Sequence, residues 1–363
     1  MVHLIKPTKI TIPSELTSLL PQNYDFNLQK SITTIKKYSF KKIALQLPDG
    51  LLKYTNILKK IFMLYVDEVI VLGDVVYGAC CIDDISVYDL GYEFLIHYGH
   101  SCLVSVKEMK VRTLYVFVDI RFDYQHMRDV FIKHFKNKSV ALTSTVQFLS
   151  AVQYLKREVQ TYNDKNEGKI DLIVPQINPL SPGEVLGCTS PKFSSENVFF
   201  IGDGRFHLES VMLSNPEKIF YKYCPSIKKL FIEEYDHKKV ILQRKEAISK
   251  FKLAKKIGLI ISTLGRQTNH LLLKNVKNEL IKKGYQVYKI KIHEIKNEIL
   301  DKFTFLDAFV QLNCTRLSID WGICFNKPIL NPYELFNDSF NNYEMDFYSL
   351  EGNAKWKNFN NQF

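Results

Sequence analysis

Short apolar runs rich in β-branched residues recur along the whole chain and alternate with connections of helix length. Twelve such runs fall into three sets of four, which begin near Ile43, Val140 and Leu259. Nearly continuous apolar strands with helical connections are typical of parallel sheets covered on both faces. The pattern predicts an α/β protein of three related domains, each a mostly parallel four-stranded sheet flanked by helices. In chain order the runs are KIALQL, EVIVLGD, FLIHYG, TLYVFVD, SVALTS, DLIVPQ, NVFFIGD, KIFYKY, IGLIIST, YQVYKIKI, DAFVQL and KPIL.

The connections between the three sets predict the domain boundaries. An N-terminal extension with the first domain takes 1–135, the second domain takes 136–238, and a linking helix, the third domain and a C-terminal tail take 239–363. The segments IRFDYQHMRDVFIKHFKNK and EEYDHKKVILQRKEAISKFKLAKK, which precede the second and third sets, are predicted to be helical. The first forty residues are predicted to pack on the body, and TYNDKNEGK, Thr161 to Lys169, to form an exposed loop.

Charge and hydropathy argue against two classes of partner. Lysine and arginine exceed the acidic residues by 49 − 38 = 11, but lysines and asparagines are spread along the whole chain. This favours a solvated surface over a nucleic-acid-binding stripe, which would also need stacking aromatics or a known motif. No apolar run reaches the ~18 residues of a membrane span, and MVHLIKPTKITIPSEL has no signal-peptide core. We therefore expect a cytoplasmic protein.

Three of the seven cysteines occupy comparable positions. Cys80, Cys188 and Cys314 each follow a strand in a different predicted domain, at the sheet edge where ligands collect in open parallel sheets. In a reducing cytosol an odd number of thiols argues for burial, metal binding or catalysis over a disulfide framework. If the domains close with pseudo-threefold symmetry around a central site, three thiolates can hold a 4Fe-4S cluster with one iron open. Spacing alone leaves zinc and plain burial as alternatives, because Cys314 follows the third strand of its set whereas the other two follow the second.

The remaining motifs match no standard nucleotide or zinc site. GDVVYGAC has the glycine spacing of a P-loop without its Lys and Ser/Thr, GDGRFH stops after G-x-G, and the chain has no C-x-x-C pair. The other four cysteines, Cys81, Cys102, Cys224 and Cys324, are predicted to be spectators, core residues or surface thiols. Asp83 and Asp84 are predicted to begin a helix, and His97 and His100 are either proton shuttles or structural histidines.

Several charged residues after the strands are candidates for binding a ligand's carboxylate, amine or ribose, because guanidinium groups match carboxylates and carboxylates accept from amines and hydroxyls. Each of them could equally be a helix cap or part of a surface ion pair. They are Arg205, His207, Glu209, Arg266, Arg316 and Asp320.

Seven stretches together resemble one known family. In order they are YGACCIDD, HYGHSCL, LYVFVDIR, PLSPGEVLGCTSP, GDGRFHLESVM, TLGRQ and CTRLSIDWG. They closely resemble the diphthamide biosynthesis proteins that form the first subunit of eukaryotic 2-(3-amino-3-carboxypropyl)histidine synthase. The resemblance runs from PQNYDFNLQKSI to MDFY and covers almost the whole chain.

The resemblance implies a site and a reaction. Three related α/β domains would each give one cysteine to a central 4Fe-4S cluster, by motif Cys80, Cys188 and Cys314. The stretch NCTR departs from the family pattern, where a small residue and Pro flank that cysteine. The implied reaction is a radical SAM chemistry in which an electron cleaves the bond between the sulfur and the γ-carbon of S-adenosylmethionine. The 3-amino-3-carboxypropyl group is then added to C2 of a histidine in elongation factor 2, and methylthioadenosine leaves.

The resemblance also implies partners. The working unit would be a heterodimer with a homologous second subunit, aided by a small metal-binding electron donor, with elongation factor 2 as protein substrate. Arg205, His207, Arg266, Arg316 and Asp320 are expected to bind S-adenosylmethionine. Two alternatives remain at this point, namely an enzyme like quinolinate synthase, which also holds a 4Fe-4S cluster with three cysteines, and a non-catalytic scaffold subunit.

Overall fold

The computed structural model describes residues 11–73 and 78–358. The chain divides into two compact units, of which the first ends at Phe122 and the second begins at Asp123. Within the described residues no helix is both long and apolar enough to cross a membrane. Of the predicted stretch GDVVYGACC, Asp74 to Tyr77 lie outside the described residues.

The first unit is built on one four-stranded parallel sheet. The strands of the whole unit are β1 (Tyr24–Asp25), β2 (Lys42–Gln46), β3 (Glu68–Leu72), β4 (Phe94–Tyr98), β5 (Arg112–Val116) and β6 (Asp119–Ile120). Its helices are α1 (Ser14–Thr17), α2 (Leu28–Tyr38), α3 (Asp49–Leu52), α4 (Thr55–Phe62) and α5 (Asp84–Asp89), with 3-10 helices at Gly78–Cys80 and Val106–Glu108. The sheet has the order β3-β2-β4-β5, and β1 pairs with β6 in a separate antiparallel ribbon. All five residues of β4 are buried, as expected for a strand covered on both faces.

From residue 11 on, the N-terminal extension packs on this sheet, as predicted, whereas residues 1–10 lie outside the described part of the chain. Leu20, Phe26, Ile32 and Ile35 are buried in the same apolar core as residues of β2, β4 and α4. The two isoleucines lie three residues apart on α2, so that they share one face of the helix. The polar start of the chain therefore contributes a structural layer.

The second unit begins with a five-stranded sheet. Its elements in chain order are α6 (Tyr124–Phe135), β7 (Ser139–Ser144), α7 (Leu149–Lys165), β8 (Asp171–Ile173), β9 (Asn197–Ile201), α8 (Phe206–Ser214), β10 (Ile219–Cys224) and β11 (Lys229–Glu233), with a 3-10 helix at Val146–Phe148. The order is β11-β10-β9-β7-β8, parallel except for β11, which pairs antiparallel with β10. This fifth strand was not predicted from the sequence.

A four-stranded parallel sheet completes the second unit. Its elements are α9 (His237–Lys252), β12 (Lys256–Ser262), α10 (His270–Lys282), β13 (Gln286–Ile292), α11 (Asn297–Leu300), β14 (Ala308–Gln311), α12 (Thr315–Trp321), β15 (Ile329–Leu330) and α13 (Pro332–Phe336), with a 3-10 helix at Gly322–Cys324. The order is β13-β12-β14-β15.

The three parallel sheets share one strand order. Numbered within each set of four, the strands lie in the order 2-1-3-4 in every sheet, and β11 is added beyond the fourth strand of the second set. All twelve predicted strands are present, and the predicted α/β class with mostly parallel sheets is confirmed. The boundaries 1–135, 136–238 and 239–363 stay a prediction.

One predicted loop is partly wrong. Helix α7 continues through Lys165, so the first half of TYNDKNEGK is helical. Near the end of the helix, Asn163 Nδ2 donates to Ile170 O, and Ile170 N donates to Asn163 Oδ1, both at 2.9 Å. These two bonds fold the chain back toward β8 and reduce the exposed loop to the few residues after the helix.

A buried ion pair joins α9 to α13. Arg244 and Glu334 are 2% and 0% exposed, and Arg244 Nε and Nη2 donate to the two Glu334 oxygens at 2.7 and 2.9 Å. Tyr343 donates its hydroxyl proton to Glu334 Oε1 at 2.6 Å. A Cβ at Gly322 would collide with the Arg244 guanidinium, so this position accepts no side chain.

Candidate functional site

The Cys80 turn follows β3 in the first unit. Cys80 ends a 3-10 helix and is 9% exposed. Gly78, at the start of that helix, has φ of +49°, and a Cβ there would overlap the His100 ring. Only glycine meets both demands, because L side chains avoid this backbone region. Close packing against His100 therefore fixes the approach of the chain to Cys80.

The chain after Cys80 is anchored to the end of β2. Gln46 Nε2 donates to Cys81 O at 2.9 Å, and Gln46 Oε1 accepts from Asp83 N at 3.2 Å. Asp83 caps α5 by accepting from Ser86 N at 3.2 Å, which confirms the predicted helix start. Both sides of the Cys80 turn are thus held by neighbouring structure.

The Cys188 turn lies between β8 and β9 and is held by the C-terminal segment. Leu186 and Thr189 exchange two backbone hydrogen bonds around Cys188. Phe347 N donates to Cys188 O at 3.3 Å, and Tyr348 N donates to Thr189 Oγ1 at 3.1 Å. The partly buried thiol therefore sits at the tip of a short turn whose backbone is fixed by residues far along the chain.

The Cys314 turn follows β14, and Cys314 is the N-cap residue of α12. Gln311 Nε2 donates to Cys314 O at 2.9 Å, and Gln311 Oε1 accepts from Asn313 N at 2.7 Å. Cys314 is partly buried, like Cys188. Its turn too is held by a buried amide side chain.

Arg316 links the Cys188 and Cys314 turns within the second unit. It is 2% exposed, and its Nη1 donates to Gly187 O at 3.2 Å, beside Cys188, and to Phe206 O at 2.9 Å. Its Nη2 donates to Glu209 at 2.5 Å, its Nε donates to Asp320 at 3.0 Å, and the guanidinium stacks over the Phe206 ring. One side chain on α12 thereby joins both cysteine turns into a single polar network.

The predicted ligand-binding residues lie in two separate regions of the second unit. Arg205, at the start of α8, pairs with Glu209 and Glu233 at 2.8 and 3.0 Å, so it joins the network of Arg316 and Asp320. The donors of Arg316 are directed at protein groups, which gives it a structural role. Arg266 lies in the loop after β12, where its carbonyl accepts from Asn358 Nδ2 at 3.4 Å. Binding of S-adenosylmethionine by any of these residues stays a prediction.

His207 shares the environment of Arg316. It is partly buried on α8, and burial together with the Arg316 cation lowers its pKa to about 4. The imidazole is therefore neutral at physiological pH and can accept or donate one hydrogen bond without carrying charge.

None of the seven cysteines takes part in a disulfide bond. Among residues 11–73 and 78–358, no group of three or more His, Cys, Asp or Glu side chains is arranged as a metal site. Joint ligation of a cluster by Cys80, Cys188 and Cys314 therefore stays a prediction.

Two groups of residues at these turns escaped the sequence analysis. The glutamines Gln46 and Gln311 were read only as parts of strands, although a polar residue ending an apolar run was a usable signal. Phe347 and Tyr348 were noted only as part of MDFY, where the resemblance ends, and their contacts with the Cys188 turn could not be predicted because they join distant parts of the chain.

Comparison with known proteins identifies the family. Residues 47–340 match the family model described as "Putative diphthamide synthesis protein", which covers most of the chain. The chain belongs to this family of diphthamide synthesis proteins. The resemblance inferred from the seven motifs is thereby confirmed.

Three relatives of this diphthamide synthesis protein carry the name 2-(3-amino-3-carboxypropyl)histidine synthase subunit 1. The Encephalitozoon cuniculi protein is 45% identical over 95% of this chain and 97% of its own length. The Schizosaccharomyces pombe protein is 44% identical, covering 94% of this chain and 81% of its own length. The Saccharomyces cerevisiae protein is 44% identical over 93% of this chain and 82% of its own. These names confirm the expected enzyme class, a transferase of diphthamide synthesis.

A solved structure shares the fold. The crystal structure of Dph2 from Pyrococcus horikoshii with a 4Fe-4S cluster has a TM-score of 0.72 and 25% sequence identity. The likeness covers 89% of this chain and 93% of the archaeal chain. The archaeal protein therefore combines this fold with an iron-sulfur cluster.

Proposed function

We propose that this chain is the catalytic subunit for the first step of diphthamide biosynthesis, which transfers the 3-amino-3-carboxypropyl group of S-adenosylmethionine to C2 of a histidine in elongation factor 2. The proposal depends chiefly on the 45% identity, over nearly the full chain, to a relative named as this synthase's first subunit. The archaeal neighbour with its 4Fe-4S cluster adds support for a cluster-dependent reaction.

The residues present fit a 4Fe-4S cluster. Cys80, Cys188 and Cys314 lie on loops that follow strands and take part in no disulfide bond, and the latter two are partly exposed. Thiolates are the usual ligands of such clusters, and three of them leave one iron without a protein ligand. When bound, the cluster supplies the electron that cleaves the bond between the sulfonium and the γ-carbon.

The chain's own residues would perform three further tasks. The fixed turns hold the thiols in place, so that the substrate can be oriented with its γ-carbon toward the reaction centre. Arg205, His207, Arg266, Arg316 and Asp320 remain the proposed group around S-adenosylmethionine.

The proposed partners follow from the relatives. Their name, subunit 1, supports a heterodimer with a homologous second subunit. A small metal-binding protein would deliver electrons, and elongation factor 2 would be the protein substrate. We place the reaction in the cytoplasm and expect no direct contact with nucleic acid.

An anaerobic assay tests the proposal. It combines the chain, the paired subunit, a reductant, S-adenosylmethionine and elongation factor 2, and it measures methylthioadenosine release and the mass added to the histidine. Replacing Cys80, Cys188 or Cys314 by alanine should remove iron and reduce product to the assay background. The exposed Cys324→Ala serves as the matched control and should behave like the parent.

Two outcomes contradict the proposal. Normal product with Cys188→Ala would assign the chain to a scaffold role. An iron-loaded parent that releases no methylthioadenosine under reduction would favour a cluster enzyme of the quinolinate synthase kind.

A further inference from the structure

Two of the cysteine turns are held by the same device, a buried glutamine amide. At the end of β2, Gln46 is 3% exposed and donates from Nε2 to Cys81 O at 2.9 Å. At the end of β14, Gln311 is 0% exposed and donates from Nε2 to Cys314 O at 2.9 Å. In both cases the amide oxygen accepts from a backbone N–H of the same turn, that of Asp83 or of Asn313.

The two amides are fixed in orientation by their surroundings. Asp83 N can only donate, so the Gln46 atom that faces it is Oε1, and His97 Nδ1 must then donate its proton to the same oxygen at 2.7 Å. Gln311 Nε2 also donates to Ser318 Oγ at 3.0 Å. A buried amide is costly unless it is hydrogen-bonded, and these two are bonded through both of their polar atoms.

The shared strand order does not account for this recurrence. Gln46 ends the first strand of its set, whereas Gln311 ends the third. The two glutamines therefore occupy different places in sheets of the same order, and what they share is the cysteine turn that each one holds. In the second sheet's turn the donor is instead a backbone N–H, that of Phe347, on Cys188 O.

The bonds act on peptide groups of the two cysteine turns. Gln311 holds the carbonyl of Cys314 itself, whereas Gln46 holds the carbonyl of Cys81, the residue after Cys80. A carbonyl held at 2.9 Å restricts rotation of its peptide group, and hence the direction of the neighbouring Cα–Cβ bond. Groups that orient metal ligands through hydrogen bonds influence metal affinity and the reduction potential of the site. The amides can thus act on a cluster without touching it.

We propose that Gln46 and Gln311 are positioning residues for the 4Fe-4S cluster. Their amides set the directions of the Cys80 and Cys314 thiols. The inference rests on the proposed ligation by these cysteines. It assigns His97 a supporting role, because its proton on Nδ1 holds the Gln46 amide in the orientation that bonds Cys81 O.

The test uses isosteric variants of the full chain in the reconstituted heterodimer under anaerobic conditions. Gln46→Glu and Gln311→Glu keep the side-chain shape and lose the donor to the turn carbonyl. Gln176→Glu is the matched control, because Gln176 Nε2 also donates to a loop carbonyl at 2.9 Å, that of Leu180. The readouts are iron content, the electron paramagnetic resonance spectrum of the reduced cluster, its midpoint potential and the rate of methylthioadenosine release.

We expect both glutamine variants to shift the spectrum and the midpoint potential and to lose about tenfold or more in rate. The control should match the parent in every readout. A parent-like spectrum, potential and rate in Gln46→Glu and Gln311→Glu would overturn the inference. If Gln46→Glu fails to fold, His97→Phe and His97→Asn replace it, since the former removes the donor to Gln46 and the latter retains one. A parent-like spectrum in His97→Phe would likewise overturn the inference.

The same series separates this inference from the proposed function. Cys80→Ala and Cys314→Ala are measured beside the glutamine variants. Full iron content in the cysteine variants would reject cluster ligation itself. Loss of iron in these variants, with parent-like glutamine variants, would reject only the positioning role.

Discussion

At the scale of single residues, the sequence located the thiols but not the groups that hold them. Cys80, Cys188 and Cys314 could be placed after strands because each follows a recognisable apolar run. The partners of Arg316 could not be found this way, since Gly187, Phe206 and Glu209 lie more than a hundred residues before it in the chain. Arg316 was therefore predicted as a ligand-binding residue, while its contacts are with the protein.

His207 makes a pH-dependent contribution to stability. Its pKa of about 4 in the folded state lies below the ordinary 6.5, because of burial and then the Arg316 cation. Between these pH values the unfolded state binds the proton more tightly, so the free energy of unfolding should fall as pH decreases from about 6.5 to 4. Urea unfolding of the parent and of His207→Gln across this range should show a weaker pH dependence in the variant.

The control for this experiment is His134→Gln, which changes an exposed histidine on α6. Its unfolding should follow the parent curve at each pH. An unchanged pH dependence in His207→Gln would contradict the assigned role of burial at this position.

At the scale of elements, most strands could be predicted from the pattern of apolar residues. The strands with buried residues on consecutive positions were found, including β4 and β9, in which every residue is buried. Strand β11 was missed because it is a mostly exposed edge strand, in which Ile232 is 67% exposed. Its apolar run, Leu230 to Ile232, is shorter than those of the edge strands β3 and β5, which were predicted.

The ion pair between α9 and α13 should be important for stability. Arg244→Met leaves the buried Glu334 carboxylate without its cation, which should cost about 3–5 kcal/mol of the free energy of unfolding. The double variant Arg244→Met/Glu334→Leu should recover part of this loss, because no buried charge remains unpaired. Urea titration monitored by circular dichroism measures both effects.

A matched control lies on the same helix. Glu246 and Lys250 form an exposed pair at 2.7 Å, so Glu246→Gln should cost far less of the free energy of unfolding than Arg244→Met. Similar costs for Arg244→Met and Glu246→Gln would show that the buried pair is not the stabilising element described above.

At the scale of the second unit, the C-terminal segment connects distant loops. Asn358 is 2% exposed, and its backbone N donates to Phe347 O at 2.7 Å, beside the residues that hold the Cys188 turn. Its Nδ2 donates to Gln267 O at 3.0 Å, in the loop that contains Arg266. The strands and their grouping into sets could be deduced from the sequence, but this tertiary link could not, because it depends on single polar contacts between segments.

We expect Asn358→Ala to loosen both loops. Loss of the buried side-chain bonds should cost about 1–3 kcal/mol of stability. Hydrogen exchange should accelerate in peptides that cover 186–190 and 264–269. The exposed Asn353→Ala is the control and should leave both peptides unchanged; equal exchange in the two variants would argue against the link.

The division of the chain after Phe122 bears on biosynthesis. All four strands of the first sheet, together with the helix α2 that packs on them, precede this point. Because domains generally fold as units during translation, this unit can close while the rest of the chain is still on the ribosome. The turn around Cys80 can then form before Cys188 and Cys314 have been synthesised, so the proposed cluster, which needs all three thiols, would be inserted only after Cys314 has been translated.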